Sequence, residues 1–442
     1  MLGPMIVTAR AEEREWIDRI VAAPDDDAPR LAYAEWLRRR GDPRGDFIRT
    51  HCILARGPAE GEDLDARRRL EEAFAQVRSA QEQAFSRELR ELLGVADQAN
   101  YYPARFVRGF VESLIVRADV FAAAADRIVA LAPLLRSVDF NRPAQGPFDG
   151  ALGRAIAGRR ELAALTSVRL FSLDLGDEAF TEFVRSSHLG GLRELDLGAN
   201  QLGPASVEAL LAAPFAAGLA SLELWRNRIG DDGARAIAAA APPGVRRLRL
   251  DGNRIGRPGA VALAGSPRLG SVTELCLTQN PIGDDGVCAI VESEALAALR
   301  TLHVYEVGLG LAGARRLAAS PGLARIEALE LGGNGLGDEG LAALAASPHT
   351  RGLVRLDLEG SELGDAGVAA LAGARALGRL HELGLRYNRI SDAGAAALAA
   401  ATGLPALVEL DLAYNDIMDH RAIEARFPWA NLVGQSMREW MR

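Results

Sequence analysis

From Leu192 to Ile417 the chain repeats itself. The repeating unit reads Leu-x-x-Leu-x-Leu-x-x-Asn-x-Ile-Gly-Asp-x-Gly. It is clearest in Leu219-Ala-Ser-Leu-Glu-Leu-Trp-Arg-Asn-Arg-Ile-Gly-Asp-Asp-Gly233. Copies begin at Leu192, Leu219, Val245, Val272, Leu299, Ile326, Leu353, Leu380 and Leu407. The eight intervals are 26 or 27 residues, and seven are 27. A fixed period of this size excludes most globular topologies. One copy cannot bury its apolar side alone, so copies must stack on their neighbours.

Each part of the copy has a physical role. In Leu-x-x-Leu-x-Leu the alternating leucines face inward from a short strand. Asn200, Asn227, Asn253, Asn280, Asn334, Asn388 and Asn415 turn the chain, their side chains bonding backbone groups that the turn leaves unpaired. The next Leu or Ile returns to the core, and Gly lets the backbone bend. Asp231, Asp284, Asp338, Asp365 and Asp392 are placed to cap the helix that follows. That helix is Ala-rich, as in Ala234-Arg-Ala-Ile-Ala-Ala-Ala240, and packs closely. A period of 27 with a true helix resembles the ribonuclease-inhibitor class of leucine-rich repeats, over about residues 110 to 433. The resemblance implies an α/β solenoid, a horseshoe with a parallel inner sheet and outer helices. That class also contains activators of small GTPases.

The 442 residues are too many for one compact core but natural for such a stack. With 49% hydrophobic and 25% charged residues the chain is a folded, soluble type. A net charge of -8 argues against a general nucleic-acid binder, which must neutralise phosphates. Every basic residue is arginine, which GC-rich codon usage explains more simply than selection for ion pairs. Cys52, Cys276 and Cys288 give neither a disulfide framework nor a CxxC pair, which fits a reducing cytoplasm. Met1 to Arg10 lacks the charged start and long apolar run of a signal peptide. No apolar stretch approaches the ~20 residues of a membrane helix. The expectation is a cytoplasmic monomer with no cofactor, metal, nucleic acid or membrane partner.

Ahead of the repeats the chain reads as helices: one carrying Trp16, Ile17, Ile20 and Val21, and one over about Ala28 to Arg40 with Leu31, Tyr33, Trp36 and Leu37 buried. A third holds Phe47, Ile48, Cys52, Ile53 and Leu54. A long charged helix follows over residues 62 to 93, with Leu64, Leu70, Phe74, Val77, Phe85, Leu89 and Leu92 inward. The run from Ile20-Val-Ala-Ala-Pro-Asp-Asp-Asp-Ala-Pro-Arg30 through Leu-Ala-Tyr-Ala-Glu-Trp-Leu to Gly45-Asp-Phe-Ile-Arg49 is similar to the repeat-companion domain found in front of bacterial leucine-rich-repeat proteins. Glu35 and His51 depart from its pattern, where Asp and Gln are commoner. The resemblance implies no catalytic activity. Asp25 to Asp27 and Asp42 are read as caps and turn formers. The domains expected are a helical repeat-companion domain over residues 1–100 and the solenoid with its terminal caps over 101–442. Phe110 to Val116, Leu135 to Phe140 and Leu165 to Leu170 are degenerate strands feeding the ladder. Phe427 to Val433 and Met437 to Met441 are read as the C-terminal cap.

Two constellations invite chemistry. Gly308-Leu-Gly-Leu-Ala-Gly313 matches GxGxxG, but it sits in register with every other strand-to-helix turn, so it reads as a drifted repeat. Cys276, His303 and Glu330 fall side by side on successive strands. They spell a nucleophile, a base and an orienting carboxylate, or a zinc site joined by Asp357. A straight row on an open surface does not converge on an atom and offers no oxyanion hole. The simpler reading is a polar binding face.

Positions that point outward from the strands vary from copy to copy. The first column runs Arg169, Asp196, Glu223, Arg249, Cys276, His303, Glu330, Asp357, Gly384 and Asp411; the next includes Trp225, Tyr305, Glu359 and Arg386; the third includes Arg226, Glu306, Tyr387 and Tyr414. Aromatics and Arg are the residue types enriched at binding hot spots. Arg226, Arg246, Arg247 and Arg249 make a basic patch, and Glu306, Glu327, Glu330, Asp357 and Glu359 an acidic one. The candidate partner-binding residues are Trp225, Arg226, Arg249, His303, Tyr305, Glu330, Asp357, Arg386, Tyr387 and Tyr414. The function expected is a non-enzymatic scaffold or adaptor binding a protein on its concave sheet. The alternatives are a regulator of a partner enzyme, as inhibitor or small-GTPase activator, and a thiol or metal-dependent enzyme built on Cys276, His303 and Glu330.

Overall fold

The computed structural model describes residues 11–58, 63–95 and 101–434. The chain divides into two compact units, Met1–Leu195 and Asp196–Arg442.

The first unit begins with five helices: α1 (Ala11–Ala22), α2 (Asp27–Arg38), α3 (Arg44–Ala55), α4 (Leu64–Phe85) and α5 (Arg87–Leu92). Asp26 caps α2, its carboxylate accepting from the Ala28 N–H at 2.9 Å. The single helix expected over residues 62 to 93 is two. Ser86 (φ -102°, ψ 13°) turns the chain, and its Oγ donates to the Glu82 carbonyl at 2.6 Å, a local bond that competes with the helix. Phe74, Phe85 and Leu89 are buried, whereas Leu64 and Val77 are exposed, off the face where Phe74 and Phe85 meet Phe47. Val21 is exposed as well.

On α2 the expectation for Leu31 is overturned: Leu31 is exposed and the neighbouring Arg30 is fully buried. The Arg30 guanidinium donates to the Pro24 carbonyl and to Glu112, both at 2.7 Å, and lies over the Phe110 ring. A buried guanidinium persists only when paired and hydrogen-bonded in this way. Glu112 and Phe110 come from a hairpin, β1 (Ala104–Val107) antiparallel to β2 (Phe110–Arg117), of which only the second strand was expected. Helix α6 (Ala118–Leu131), β3 (Ser137–Asn141), α7 (Gly150–Ala157), β4 (Ser167–Arg169) and α8 (Gly176–Val184) follow, with β2, β3 and β4 parallel. Ile20, Tyr33, Ala34, Leu37, Ile48, Cys52 and Leu134 form one buried cluster, with Phe110 packed on it. The helices and the first degenerate strands therefore share a core. Arg136 meets Asp25 at 2.9 Å and Arg108 meets Asp27 at 3.3 Å, so two of the three aspartates expected as caps are ion-pair partners instead.

Strand β5 (Glu194–Asp196) falls at the division. The second unit continues as α9 (Pro204–Ala212), β6 (Ser221–Glu223), α10 (Gly230–Ala240), β7 (Arg247–Arg249), α11 (Arg257–Ala264), β8 (Glu274–Cys276) and α12 (Gly283–Glu292). It goes on through β9 (Thr301–His303), α13 (Leu311–Ala319), β10 (Ala328–Glu330), α14 (Gly337–Ala346), β11 (Arg355–Asp357) and α15 (Asp365–Ala372). The last elements are β12 (Glu382–Gly384), α16 (Asp392–Ala399), β13 (Glu409–Asp411) and α17 (Arg421–Arg426). Strands β6 to β13 pair in parallel with no slip, so Leu222, Leu248, Leu275, Leu302, Leu329, Leu356, Leu383 and Leu410 form one buried column. The core lies between this column and the alanines and leucines of the helices. At the C-terminus Asn431 pairs with Asp411, and Phe427 is buried while Trp429 is exposed. The expected cap segment Met437 to Met441 lies outside the described residues.

The aspartates cap, but not their own helices. Asp231 accepts from the Gly256 and Gly259 N–H groups, Asp284 from Gly310, Asp338 from Gly364, and Asp365 from Ser391 and Gly394, at 2.7 to 3.0 Å. Each reaches one copy onward. The backbone explains why: Gly230, Gly283 and Gly337 take φ of 60° to 65°, whereas Gly256, Gly310 and Gly364 are extended. The two turn geometries alternate from Gly230 to Gly364, and the extended form then recurs at Ser391. Asp231, Asp284 and Asp338 follow left-handed glycines and Asp365 follows the extended Gly364. What the four share is the receiving end, an extended residue (Gly256, Gly310, Gly364 or Ser391) at the next helix start, where free N–H groups and the helix dipole favour a carboxylate.

Candidate functional site

The in-register pairing of β6 to β13 sets Glu223, Arg249, Cys276, His303, Glu330, Asp357, Gly384 and Asp411 side by side on the outward face of the sheet. The following residues, which lead into the asparagine turn, present a second set. Among these, Arg226, Glu306, Tyr387 and Tyr414 hold φ between 50° and 57°, a left-handed conformation that costs a non-glycine residue roughly 1–2 kcal/mol. The turn requires it: the Arg226 N–H donates to the Asp251 carbonyl and the Tyr387 N–H to the Ala413 carbonyl of the next copy.

The Cys276–His303–Glu330 row does not assemble a nucleophile. The Cys276 side chain is buried, and its Sγ lies 3.5 Å from Thr278 Oγ1. Burial and the nearby Asp251 carboxylate push its thiol up to about 12, so the thiolate is strongly disfavoured. The His303 ring meets Glu330 at 2.5 Å through Nδ1 and stands 4.0 Å from Glu274 through Nε2. Burial raises the Glu330 carboxyl, but the His303 hydrogen bond and charge, with Arg355 and Arg249, outweigh it and hold Glu330 below its ordinary value. Among the described residues no group of three His, Cys, Asp or Glu side chains is placed to hold a metal ion.

The aromatics have particular seats. The Trp225 indole covers Gly198 of the preceding copy, and the Tyr305 ring covers Gly332 of the next. Tyr387 and Tyr414 stack at 4.5 Å and 8°, with the Arg386 guanidinium 4.8 and 4.7 Å from the two ring centres. Tyr387 remains 44% exposed, so this shelf keeps an open side.

Charge is sorted differently from the sequence expectation. Of the expected basic patch, Arg247 pairs with Glu274 at 2.9 Å, and Arg249 with Asp251 at 3.0 Å and Glu223 at 3.7 Å. The acidic patch extends beyond Glu359. Gly384 has no side chain, and a cavity of about 110 Å³ opens above it, lined by Asp357, Glu359, Glu382, Glu409, Asp411, Arg355 and Arg386. Glu382 and Glu409 were missed by the sequence reading, although each opens a strand at the same position of its copy. Burial, with the charge of Glu330, raises the Asp357 carboxyl although the Glu359 N–H bonds it; burial and Asp357 likewise raise Glu359.

The GxGxxG match at Gly308–Gly313 is a repeat turn. Asp284 caps Gly310, and a Cβ at Gly313 would collide with the same carboxylate. Among the described residues no helix is long and apolar enough to cross a membrane.

Seven segments match the family described as Leucine Rich repeat: residues 192–211, 219–238, 245–264, 271–291, 326–345, 353–372 and 380–399. Two of the nine copies are passed over, those starting at Leu299, where Val307 replaces the asparagine, and at Leu407. No curated protein matches the chain. Among solved structures, an internalin of Listeria monocytogenes is 17% identical, covering 73% of this chain and 87% of that one, with a TM-score of 0.42. A chain of the yeast Rad7 and Elc1 complex is 14% identical, covering 87% and 100%, with a TM-score of 0.48. Internalin C2 of Listeria monocytogenes is 23% identical, covering 53% and 84%, with a TM-score of 0.35. The in-register leucine column, the asparagine turns and the seven family matches make this chain an α/β leucine-rich-repeat solenoid preceded by a helical domain.

Proposed function

We propose that the chain is a non-enzymatic scaffold that binds a protein partner on the outward face of its sheet. One observation carries the reading. Over a repeated frame of leucine and asparagine, the sheet presents a stacked Tyr387–Tyr414 pair with Arg386 against it, on backbone that tyrosine adopts at a cost. Aromatic and arginine side chains held rigidly on a surface lose little entropy on binding, which is what interface anchors need. In this reading Trp225, Arg226, Arg249, His303, Tyr305, Glu330, Asp357, Arg386, Tyr387 and Tyr414 contact the partner.

The helical part, residues 1–100, is proposed as the repeat-companion domain, set apart in role from the solenoid over 101–442. The repeats are proposed as ribonuclease-inhibitor-like. The protein is proposed to act as a monomer in a bacterial cytoplasm. Affinity capture from the native host tests the central claim. Wild type and a Trp225→Ala/Tyr305→Ala/Arg386→Ala variant are compared by mass spectrometry. The expected result is a partner recovered by wild type and lost by the variant; equal recovery removes the sheet face from consideration.

A further inference from the structure

We propose that the sheet face from β11 to β13 docks a basic segment of the partner protein, seating one arginine or lysine side chain above Gly384. This rests on the sheet face being the partner-binding surface and adds the chemistry of what binds there.

Charge balance changes along the sheet face. Toward β7 and β8 the charges are matched: Arg247 with Glu274 and Arg249 with Asp251, and beyond them Glu330 is bonded to the His303 ring. Toward β12 they are not. Arg355 is taken by Glu382 at 2.6 Å. Arg386 lies against the two tyrosine rings and donates to the Tyr387 hydroxyl at 3.3 Å. Asp357, Glu359 and Asp411 are in no ion pair among the described residues. Asp357 Oδ1 accepts only the Glu359 N–H at 2.8 Å, and Asp411 Oδ1 the Ala413 N–H and the Asn431 amide.

Shape then says where a cation goes. Gly384 lies between Asp357 and Asp411 in the strand register. Strand spacing puts their backbones roughly 10 Å apart. That gap suits a guanidinium or ammonium bonded to a carboxylate on each side. A Cβ at Gly384 would come within 2.9 Å of the Asp357 carboxylate, so any side chain there would close the seat. Asp357 is held above its ordinary value by burial and by the charges of Glu330 and Asp411, and Glu359 by burial and the charge of Asp357; an entering cation relieves that repulsion. The neighbouring Tyr387–Tyr414 shelf already holds one guanidinium, that of Arg386, and so displays the geometry this surface offers to a planar cation.

The test uses the full-length protein and a fluorescent peptide of alternating arginine and serine, with a glutamate–serine peptide as control, read by anisotropy at moderate salt. Two charge-matched triple variants are compared: Asp357→Asn/Glu359→Gln/Asp411→Asn on the face, and Asp232→Asn/Asp285→Asn/Glu339→Gln on exposed helix positions. Gly384→Ala fills the seat without changing charge. Circular dichroism and the urea midpoint confirm that each variant folds. Binding of the arginine peptide should weaken by roughly tenfold in the face variant and in Gly384→Ala, and by less than about twofold in the helix variant. No binding by wild type, or equal loss in both triple variants, overturns the proposal. The host capture experiment judges the broader reading separately: a partner lost by its aromatic variant, alongside a failed arginine peptide, would retain the sheet face and discard the basic segment.

Discussion

Asn280 holds the backbone of Asn253, one copy away. Its Oδ1 accepts the Asn253 N–H at 3.0 Å and the Ile255 N–H at 2.9 Å. Its Nδ2 donates back to the Leu250 carbonyl of that copy at 2.8 Å and to the Leu277 carbonyl of its own at 2.9 Å. Asn227 does the same for Asn200, and Asn388 for Ser361. A turn buried in a stack has no water to satisfy it, so each copy satisfies its neighbour.

Asn280→Ala should therefore lower stability by about 2–4 kcal/mol, since it strands two buried N–H groups and weakens two carbonyls at once. The reverse change is available at Val307, where the ladder breaks. The Ile282 N–H turns to its own copy, bonding the Asn280 carbonyl at 2.7 Å. Val307→Asn restores an acceptor and should raise the urea midpoint by an amount equal to about 1 kcal/mol. If Asn280→Ala unfolds at the wild-type midpoint, the ladder is not a source of stability.

Cross-copy capping makes a prediction about place. Asp284→Ala should cost about 1 kcal/mol, in the range of a lost helix cap. The damage belongs at the start of the next helix, because Asp284 accepts from Gly310 at 2.7 Å. Amide hydrogen exchange should speed up at Gly310–Gly313 and stay unchanged at Gly283–Gly286. Faster exchange at the second site alone would mean that the aspartate caps its own helix.

The period, the leucine column and the asparagine turns were legible in the sequence because they depend on neighbours at a fixed offset. The destination of the aspartates was not, since it depends on extended backbone at the next helix start, and glycine stands both at extended starts such as Gly256 and at left-handed ones such as Gly230. Arg30 and Leu31 exchanged places for a similar reason. Burial of Arg30 requires Glu112, which is 82 residues away and outside the regular period that starts at Leu192. The notch at Gly384 escaped the sequence reading because a missing side chain gives no signal until its neighbours are known to be carboxylates.

Cys276 should behave as an inert thiol. With the group pushed up to about 12 by burial and Asp251, labelling by a disulfide reagent at pH 7 should be far slower than for a free cysteine. His303→Ala should leave that rate unchanged, because the His303 ring is paired with Glu330. Fast labelling that depends on His303 would revive a nucleophilic reading of the row.

The helical domain should be acid-sensitive through His51. Its ring is buried edge-on between Phe47, at 4.5 Å, and Phe74, at 4.9 Å. The charged groups facing it are Glu82, 3.9 Å away, and Arg78, which holds that carboxylate at 2.8 Å. Burial first, and then the Arg78 charge, lower the imidazole from 6.5 to about 4. Above pH 6.5 the ring is neutral whether the chain is folded or not, and its contribution to stability is fully present. Between pH 6.5 and 4 the unfolded chain takes up the proton and the folded chain does not, so stability falls with pH. Below about 4 the loss is complete, on the order of 3 kcal/mol. His51→Gln removes the titration. Urea midpoints of wild type and variant at pH 7.5 and pH 4.5 separate this group from the carboxylates, which contribute equally to both proteins. The wild type should lose more stability on acidification than the variant. Parallel losses would mean that the histidine is protonated, and accommodated, in the folded chain.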